Sequence, residues 1–274
     1  MSGDFLKHMA ERSRARVQAA MRLCTPERMR AQAQESAAPV PLVPSAAGFD
    51  IIAELKLRSP AAGVLRAPAE DIASRVRRYA RGGAAAVSVL TEPSEFEGEL
   101  AHLELTAGAL QPLGIPAMRK DFLVDPYQVA EARVAGAGGV LIILRMLGRD
   151  ELQALVAEAE RLGLFVLLET FDEADIERAQ ELVAGYRETP NPTVLVGVNC
   201  RDLVTLQVVP ERLERVAPRL PRAVPRVAES GVTCAADATR VRAAGYDMAL
   251  VGSALMRAQD PEELLRQMLG AGRT

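Results

Sequence analysis

The sequence predicts an α/β fold, a (β/α)8 TIM barrel with an N-terminal helical extension. Three observations point there. Eight short apolar runs alternate with helical patterns, as a parallel sheet covered on its outer side requires. The chain has 274 residues, the size at which such barrels form one domain. Acids, bases and amides cluster where the apolar runs end, and chemistry on this fold collects at the C-terminal ends of the strands.

The runs in order are 50–55, 85–90, 115–118, 140–144, 164–169, 193–199, 225–230 and 248–252. The helical patterns between and after them cover 68–82, 99–111, 126–136, 149–162, 172–184, 210–217, 235–244 and 260–269. Asp125 before Pro126 and Asp260 before Pro261 read as N-caps followed by proline at the first helical position. "RVAGAGG" and "RAAGYD" show glycine ending helices. An open doubly wound sheet is the alternative, but "SPAAG" after the first run is not a dinucleotide-binding glycine motif.

Residues 1–45 read as a helical extension and 46–274 as a single barrel domain. "DFLKHMAERSRARVQAAMRL" has Phe5, Met9, Val17 and Met21 among its apolar positions, an amphipathic helix. "APVPLVP" follows as an extended connector. The helix either closes the bottom of the barrel or lies as a lid over its mouth. "YRETPNP", 186–192, reads as an insertion at the bottom, away from chemistry.

Composition narrows the function. A net charge of -3 and no long basic run argue against a nucleic-acid partner. No apolar stretch approaches the roughly 18 residues of a membrane span, and the first residues lack a signal peptide's apolar core. The expectation is a cytoplasmic protein. His8 and His102 are the only histidines, and Cys24, Cys200 and Cys234 lack metal-ligand spacing. That scarcity disfavours a Ser-His-Asp enzyme or a histidine-rich metal site, and catalysis here would use lysines and carboxylates.

The charges are placed unusually. In "DIIAELK", Glu54 and Lys56 stand two apart, on one face of an otherwise apolar strand. The third strand leads into Lys120 and Phe122, the fourth carries Leu141, and the fifth ends in Glu169. The sixth ends in Asn199, with Arg201 after it, and the seventh in Glu229, Ser230 and Gly231. One buried Lys–Glu pair would be structural more often than not. Charges converging on one mouth are costly to bury without use. "AESGV" and "LVGSAL" put glycine loops after the last two strands, where such barrels bind phosphate; tight turns alone are the plainer reading.

"AELKLRSPAAG", "SVLTE", "MRKDFLVDPYQVAEARVAGA", "LLET", "VGVNCRDL", "AESGV" and "LVGSALM" together resemble the indole-3-glycerol-phosphate synthase family of tryptophan biosynthesis. The match runs in order from about residue 50 to 270. The resemblance implies a carboxy-lyase needing no cofactor. It would close an indole ring on 1-(2-carboxyphenylamino)-1-deoxyribulose 5-phosphate, with loss of carbon dioxide and water. It implies Lys120 as general acid, with a pKa lowered by burial and neighbouring cations. Lys56 would engage the substrate carboxylate, and Glu169 would be the general base supported by Glu54. Asn199 and Arg201 would position hydroxyl and carboxylate groups, with Glu229 and Ser230 at the same mouth. Ser59, Gly231, Gly252 and Ser253 resemble the phosphate site, and Phe96, Phe122 and Leu141 the slot for the aromatic ring. The partner expected is this small phosphorylated substrate, bound by a monomer or weak homodimer.

Some positions depart from the family pattern. Glu95, Glu97 and Glu99 stand where an aromatic, a neutral polar residue and a serine are usual; facing solvent near a helix start is the favoured placement. Thr170 and Phe171 follow Glu169, Leu57 follows Lys56, and Cys200 follows Asn199. The alternatives are a paralogue acting on a related amino-deoxyribulose phosphate, or a non-catalytic barrel that binds a phosphorylated metabolite.

Overall fold

The computed structural model describes residues 2–60, 63–65, 71–184, 194–202 and 205–274. The insertion expected at 186–192 lies outside them, as does the start of the helix expected from residue 68.

Eight parallel strands close on themselves, each bonded to the next and the last to the first. They are β1 (Asp50–Leu55), β2 (Ala86–Leu90), β3 (Ala117–Lys120), β4 (Gly139–Ile143), β5 (Phe165–Thr170), β6 (Val194–Asn199), β7 (Arg226–Glu229) and β8 (Met248–Val251). β3 begins two residues later than the apolar run suggests. Pro116 has no N–H to give a ladder, and pairing starts at Val87 with Ala117. Lys120 thereby becomes the last residue of a strand.

Among the described residues the helices of six residues or more are α1 (Ser2–Leu23), α2 (Pro26–Glu35), α3 (Ile72–Arg81), α4 (Leu100–Leu110), α5 (Pro126–Val134), α6 (Arg149–Arg161), α7 (Glu173–Ala184), α8 (Glu211–Val216), α9 (Ala235–Ala243) and α10 (Pro261–Gly272). The Asp125 carboxylate accepts from Tyr127 N, and that of Asp260 from Glu262 N and Glu263 N, as N-caps do. Gly136 and Gly245 take left-handed backbone where helices end, at φ 84° and 103°.

Alternate residues of each strand enter two separate apolar clusters. Ile51, Ala53 and Leu55 pack outward against the helices. Ile52 points inward, with Ala86, Met118, Leu141, Phe165, Leu195, Val227 and Met248. The inside is therefore a packed core up to the level at which the polar strand ends begin.

The extension does both jobs the sequence left open. Phe5 and Leu6 of α1 border the cavity at the mouth, so this helix is a lid. Met9 and Val17 are its buried face. Helix α2 packs on α5 and returns the chain along the barrel's side. The connector then passes the bottom: Val40 lies against Gly138, which precedes β4, and Pro39 against Gly163, which precedes β5. Leu42 joins the inward-facing cluster.

Candidate active site

A cavity of about 620 Å³ opens at the C-terminal ends of the strands. Its floor is polar because strand periodicity carries charge into the barrel above the apolar layers. In β1, Ile52 is followed on the same face by Glu54 and then Lys56. The Lys56 ammonium donates to Glu54 Oε2 at 2.5 Å, with both side chains largely shielded. A side chain at Gly252, after β8, would collide with the Glu54 carboxylate; the bare backbone there leaves room for the pair.

A second chain of contacts crosses four strand ends. Lys120 Nζ lies 3.3 Å from Glu169 Oε2. Asn199 Nδ2 donates to Glu169 Oε1 at 2.7 Å. The Ser230 hydroxyl donates to Asn199 Oδ1 at 3.0 Å, and the Arg201 backbone N–H donates to the same oxygen at 2.9 Å. The donors on Oδ1 fix which way the amide points, so Nδ2 is committed to Glu169. Ser230 itself takes left-handed backbone, φ 67°, ahead of Gly231 at 72°, which turns its hydroxyl back toward Asn199.

Charge balance differs from the expectation for Lys120. Burial pushes its ammonium toward the neutral form, but the carboxylates of Glu169, Glu229 and Glu54 outweigh burial and hold its pKa above the ordinary lysine value. The expected lowering is thus corrected. The nearest charges are acids from other strands, and the group keeps its proton at neutral pH. Burial also raises the Glu54 carboxyl, but Lys56, Lys120 and Arg201 bring its pKa below the usual value. Glu229 is the opposite case. It is 1% exposed, and neither carboxyl oxygen has a hydrogen-bond partner among the described residues. Burial, with Glu169 and Glu54 nearby, pushes its pKa well up.

The walls divide by chemistry. Phe96 and Phe122 face one another with ring centres 6.2 Å apart, and Phe5 from the lid meets Phe122 edge-on at 6.0 Å. Leu90, Ile143, Phe171 and Leu250 add to the apolar lining. Leu141 is not part of it. It lies fully buried one inward position below Ile143, so the expectation for residue 141 passes to residue 143. Opposite, Ser59, Gly231, Gly252 and Ser253 line the cavity together, and Arg257 adds a cation that the sequence reading missed. Arg201 lines the cavity while its Nη1 donates to Leu206 O at 2.7 Å.

Glu95, Glu97 and Glu99 do not line the cavity. Glu97 pairs with Arg58 at the surface, and Glu99 is the N-cap residue of α4, its backbone N–H donating to His102 Nδ1 at 3.2 Å. Phe171 packs under Arg145, whose guanidinium lies 4.5 Å from the ring centre and pairs with Asp172 and Asp175. Phe5 and Ile143 were missed for different reasons. Ile143 is two residues beyond Leu141 and so shares its face, a signal present in the sequence. Phe5 reaches the mouth only through the path of the extension.

The model of the family described as indole-3-glycerol phosphate synthase matches residues 6–268. An indole-3-glycerol phosphate synthase of Nocardioides sp. is 45% identical over 225 residues, covering 82% of each chain. One from Mycolicibacterium vanbaalenii is 38% identical over 273 residues, 99% of this chain and 96% of that protein. Among solved structures, 3-hexulose-6-phosphate synthase from Salmonella typhimurium superposes with a TM-score of 0.59 at 12% identity. It covers 81% of this chain and 98% of its own, and shows a shared fold alone. With the sequence matched almost end to end and the barrel closed, the chain belongs to the indole-3-glycerol phosphate synthase family.

Proposed function

We propose that this protein closes the indole ring of 1-(2-carboxyphenylamino)-1-deoxyribulose 5-phosphate, releasing carbon dioxide and water, as a cytoplasmic biosynthetic enzyme. The observation that carries the reading is the Lys120–Glu169–Asn199–Ser230 chain beside the Lys56–Glu54 pair, in one cavity with an aromatic wall and a glycine-lined end.

The substrate has an aryl carboxylate, a ketone and a phosphate. The phosphate suits Ser59, Gly231, Gly252 and Ser253, where backbone approaches without side chains in the way. The aryl ring suits the slot formed by Phe96, Phe122 and Ile143. Lys56 meets the carboxylate, and Arg201 and Asn199 orient the carboxylate and hydroxyls.

In the first step the ring carbon bearing the carboxylate attacks the ketone carbon. Lys120 gives its proton to the ketone oxygen as that oxygen gains charge; its raised pKa keeps the proton in place until then. Loss of carbon dioxide returns the C–C bonding pair to the ring. In the second step the new hydroxyl leaves as water. It takes a proton from a lysine, Lys56 or Lys120, while Glu169 accepts the proton released from the substrate. Glu54 holds Lys56 on the correct side of the floor.

Purified protein incubated with this substrate is expected to develop indole fluorescence. Saturable binding without turnover overturns the proposal and leaves a phosphometabolite-binding barrel.

A further inference from the structure

The mouth of the barrel is apolar over one arc and polar over the other. Phe96, Phe122, Ile143 and Phe171 stand at or after the ends of β2, β3, β4 and β5, neighbours in the ring of strands. Asn199, Ser230, Gly252 and Lys56 do so for β6, β7, β8 and β1. Phe171 closes the apolar arc. It follows Thr170, the last residue of β5, and stands one inward position above Glu169. β5 lies four strands from β1 in either direction, so Phe171 and Lys56 are on opposite sides of the mouth.

The Phe171 ring is braced from behind. Its backbone N–H donates to Asp175 Oδ2 at 2.9 Å. Arg145, in the short turn Leu144–Met146 after β4, holds its guanidinium 4.5 Å from the ring centre. Arg145 Nε donates to Asp175 Oδ2 at 2.8 Å, and Nη2 to Asp172 Oδ2 at 2.5 Å. The turn itself is fixed by Arg178 of α7, which donates to Leu144 O at 2.9 Å and to Leu147 O at 2.8 Å. Arg145 does not line the cavity. Phe171 does, at 3% exposure, so a group pressing on its ring from the cavity meets a fixed wall.

We infer that Phe171, braced by Arg145, is a specificity-determining stop at the far end of the aryl slot, barring ring substituents para to the carbon that bears the substrate carboxylate. With the carboxylate at Lys56 on β1, the para edge of the ring is directed to the opposite strand end, that of β5. A hydrogen there fits against the Phe171 ring. A methyl group overfills the space, because the clamp behind the ring does not give. Phe171 touches the substrate and moves no proton; Arg145 is a positioning residue that acts through Phe171. This inference rests on the synthase reading above.

The test measures kcat/KM by indole fluorescence for the parent substrate and two methylated analogues. One carries the methyl para to the carboxylate-bearing carbon, the other para to the nitrogen-bearing carbon. The proteins are the wild type, Phe171→Ala, Phe171→Leu and Arg145→Met. The readout is the ratio of analogue to parent within each protein, which a general loss of active enzyme does not move. The wild type is expected to prefer the parent over the first analogue by about 10-fold or more, the scale at which a pocket rejects one extra carbon. Phe171→Ala is expected to bring that ratio within about threefold of one, and Arg145→Met to move it part of the way. The ratio for the second analogue is expected to stay where it was. A wild type indifferent to the first methyl overturns the stop, as does a ratio that Phe171→Ala leaves unchanged. Equal gains for both analogues overturn its placement, and an Arg145→Met ratio equal to wild type overturns the brace. Should Phe171→Ala not fold, Phe171→Leu decides: a ratio moved toward one supports the stop, and the wild-type ratio overturns it. A wild type without turnover of the parent overturns the synthase reading and this role with it, whereas turnover of the parent with an unmoved ratio overturns this role alone.

Discussion

The lower and upper halves of the barrel interior are built from the same strands and behave as different materials. Below, Ile52, Ala86, Met118, Phe165, Leu195, Val227 and Met248 interdigitate with no charge among them. One inward position higher come Glu54, Ser88, Lys120, Gly197 and Glu229, while β5 and β8 stay apolar at Leu167 and Leu250, and Glu169 and Asn199 stand at the top of β5 and β6. The lower half supplies apolar burial and close packing. The upper half removes charge from water and recovers that cost through pairing across strands, which is unfavourable for stability and useful for proton transfer.

Substitution should separate the halves. Lys120→Ala is expected to lower kcat/KM by about 10²- to 10⁴-fold, the range for a lost general acid. Its melting temperature should fall less than that of a core truncation, because Glu169 keeps its bond from Asn199 and Glu54 its pair with Lys56, while water enters the space left by the lysine. A variant with full turnover removes Lys120 from the mechanism. Met118→Ala, directly beneath on β3 and fully buried, should do the reverse. Denaturant unfolding is expected to show a loss of about 2–5 kcal/mol, with kcat of the folded enzyme near wild type. If Met118→Ala cost activity and not stability, the division between the layers would fail.

Acid should also discriminate. Although burial works against it, Arg16, Arg119 and Thr91 hold the Asp121 carboxyl at about 2, against 3.8 for an ordinary aspartate. A depressed carboxylate stabilises the fold above its unfolded pKa, and that contribution is lost as pH falls from about 4 to about 2. By linkage it is worth about 2 kcal/mol. The stability gap between wild type and Asp121→Asn should therefore narrow over that interval. A gap unchanged with pH would mean that the ion pair does not hold the carboxylate ionised.

Much of this division was legible beforehand. Inward charges two residues beyond apolar ones, as in Ile52–Glu54–Lys56, mark where a barrel strand leaves the core and enters the mouth. The repeated run-and-helix pattern marked every strand of the barrel to within a residue or two. What was not legible depended on neighbours distant in sequence. Helix α2 is polar almost all round, burying only Met29 and Ala33, so periodicity did not reveal it; Thr25 and Pro26 were its only clear sign. The direction of the Lys120 shift depends on carboxylates from β1, β5 and β7, which no local pattern shows. The lid was undecidable because an amphipathic helix presents the same stripe to either end of a barrel. Arg16 and Asp121 are 105 residues apart, and nothing in either segment pointed to the other.

The smallest expected effect concerns Glu229, where the two halves meet. In register it lies beside Asn199 on one strand and Leu250 on the other, a carboxyl with a polar neighbour and an apolar one. Burial, then the negative Glu169 and Glu54, raise its pKa, while Lys120 pulls the other way and is outweighed. A carboxyl whose folded pKa exceeds its unfolded value of about 4.3 keeps an extra proton in the native state. Its contribution to stability is full below the unfolded pKa and is lost as pH rises through the folded one. Glu229→Gln keeps the shape and cannot ionise. Its melting temperature relative to wild type should thus rise by a few degrees from pH 5 to pH 8, the other titrating groups being common to both proteins. A difference that stays flat or falls over that range would mean Glu229 is already ionised at pH 5, placing it with Glu54 and Glu169 in the charged layer rather than at its boundary.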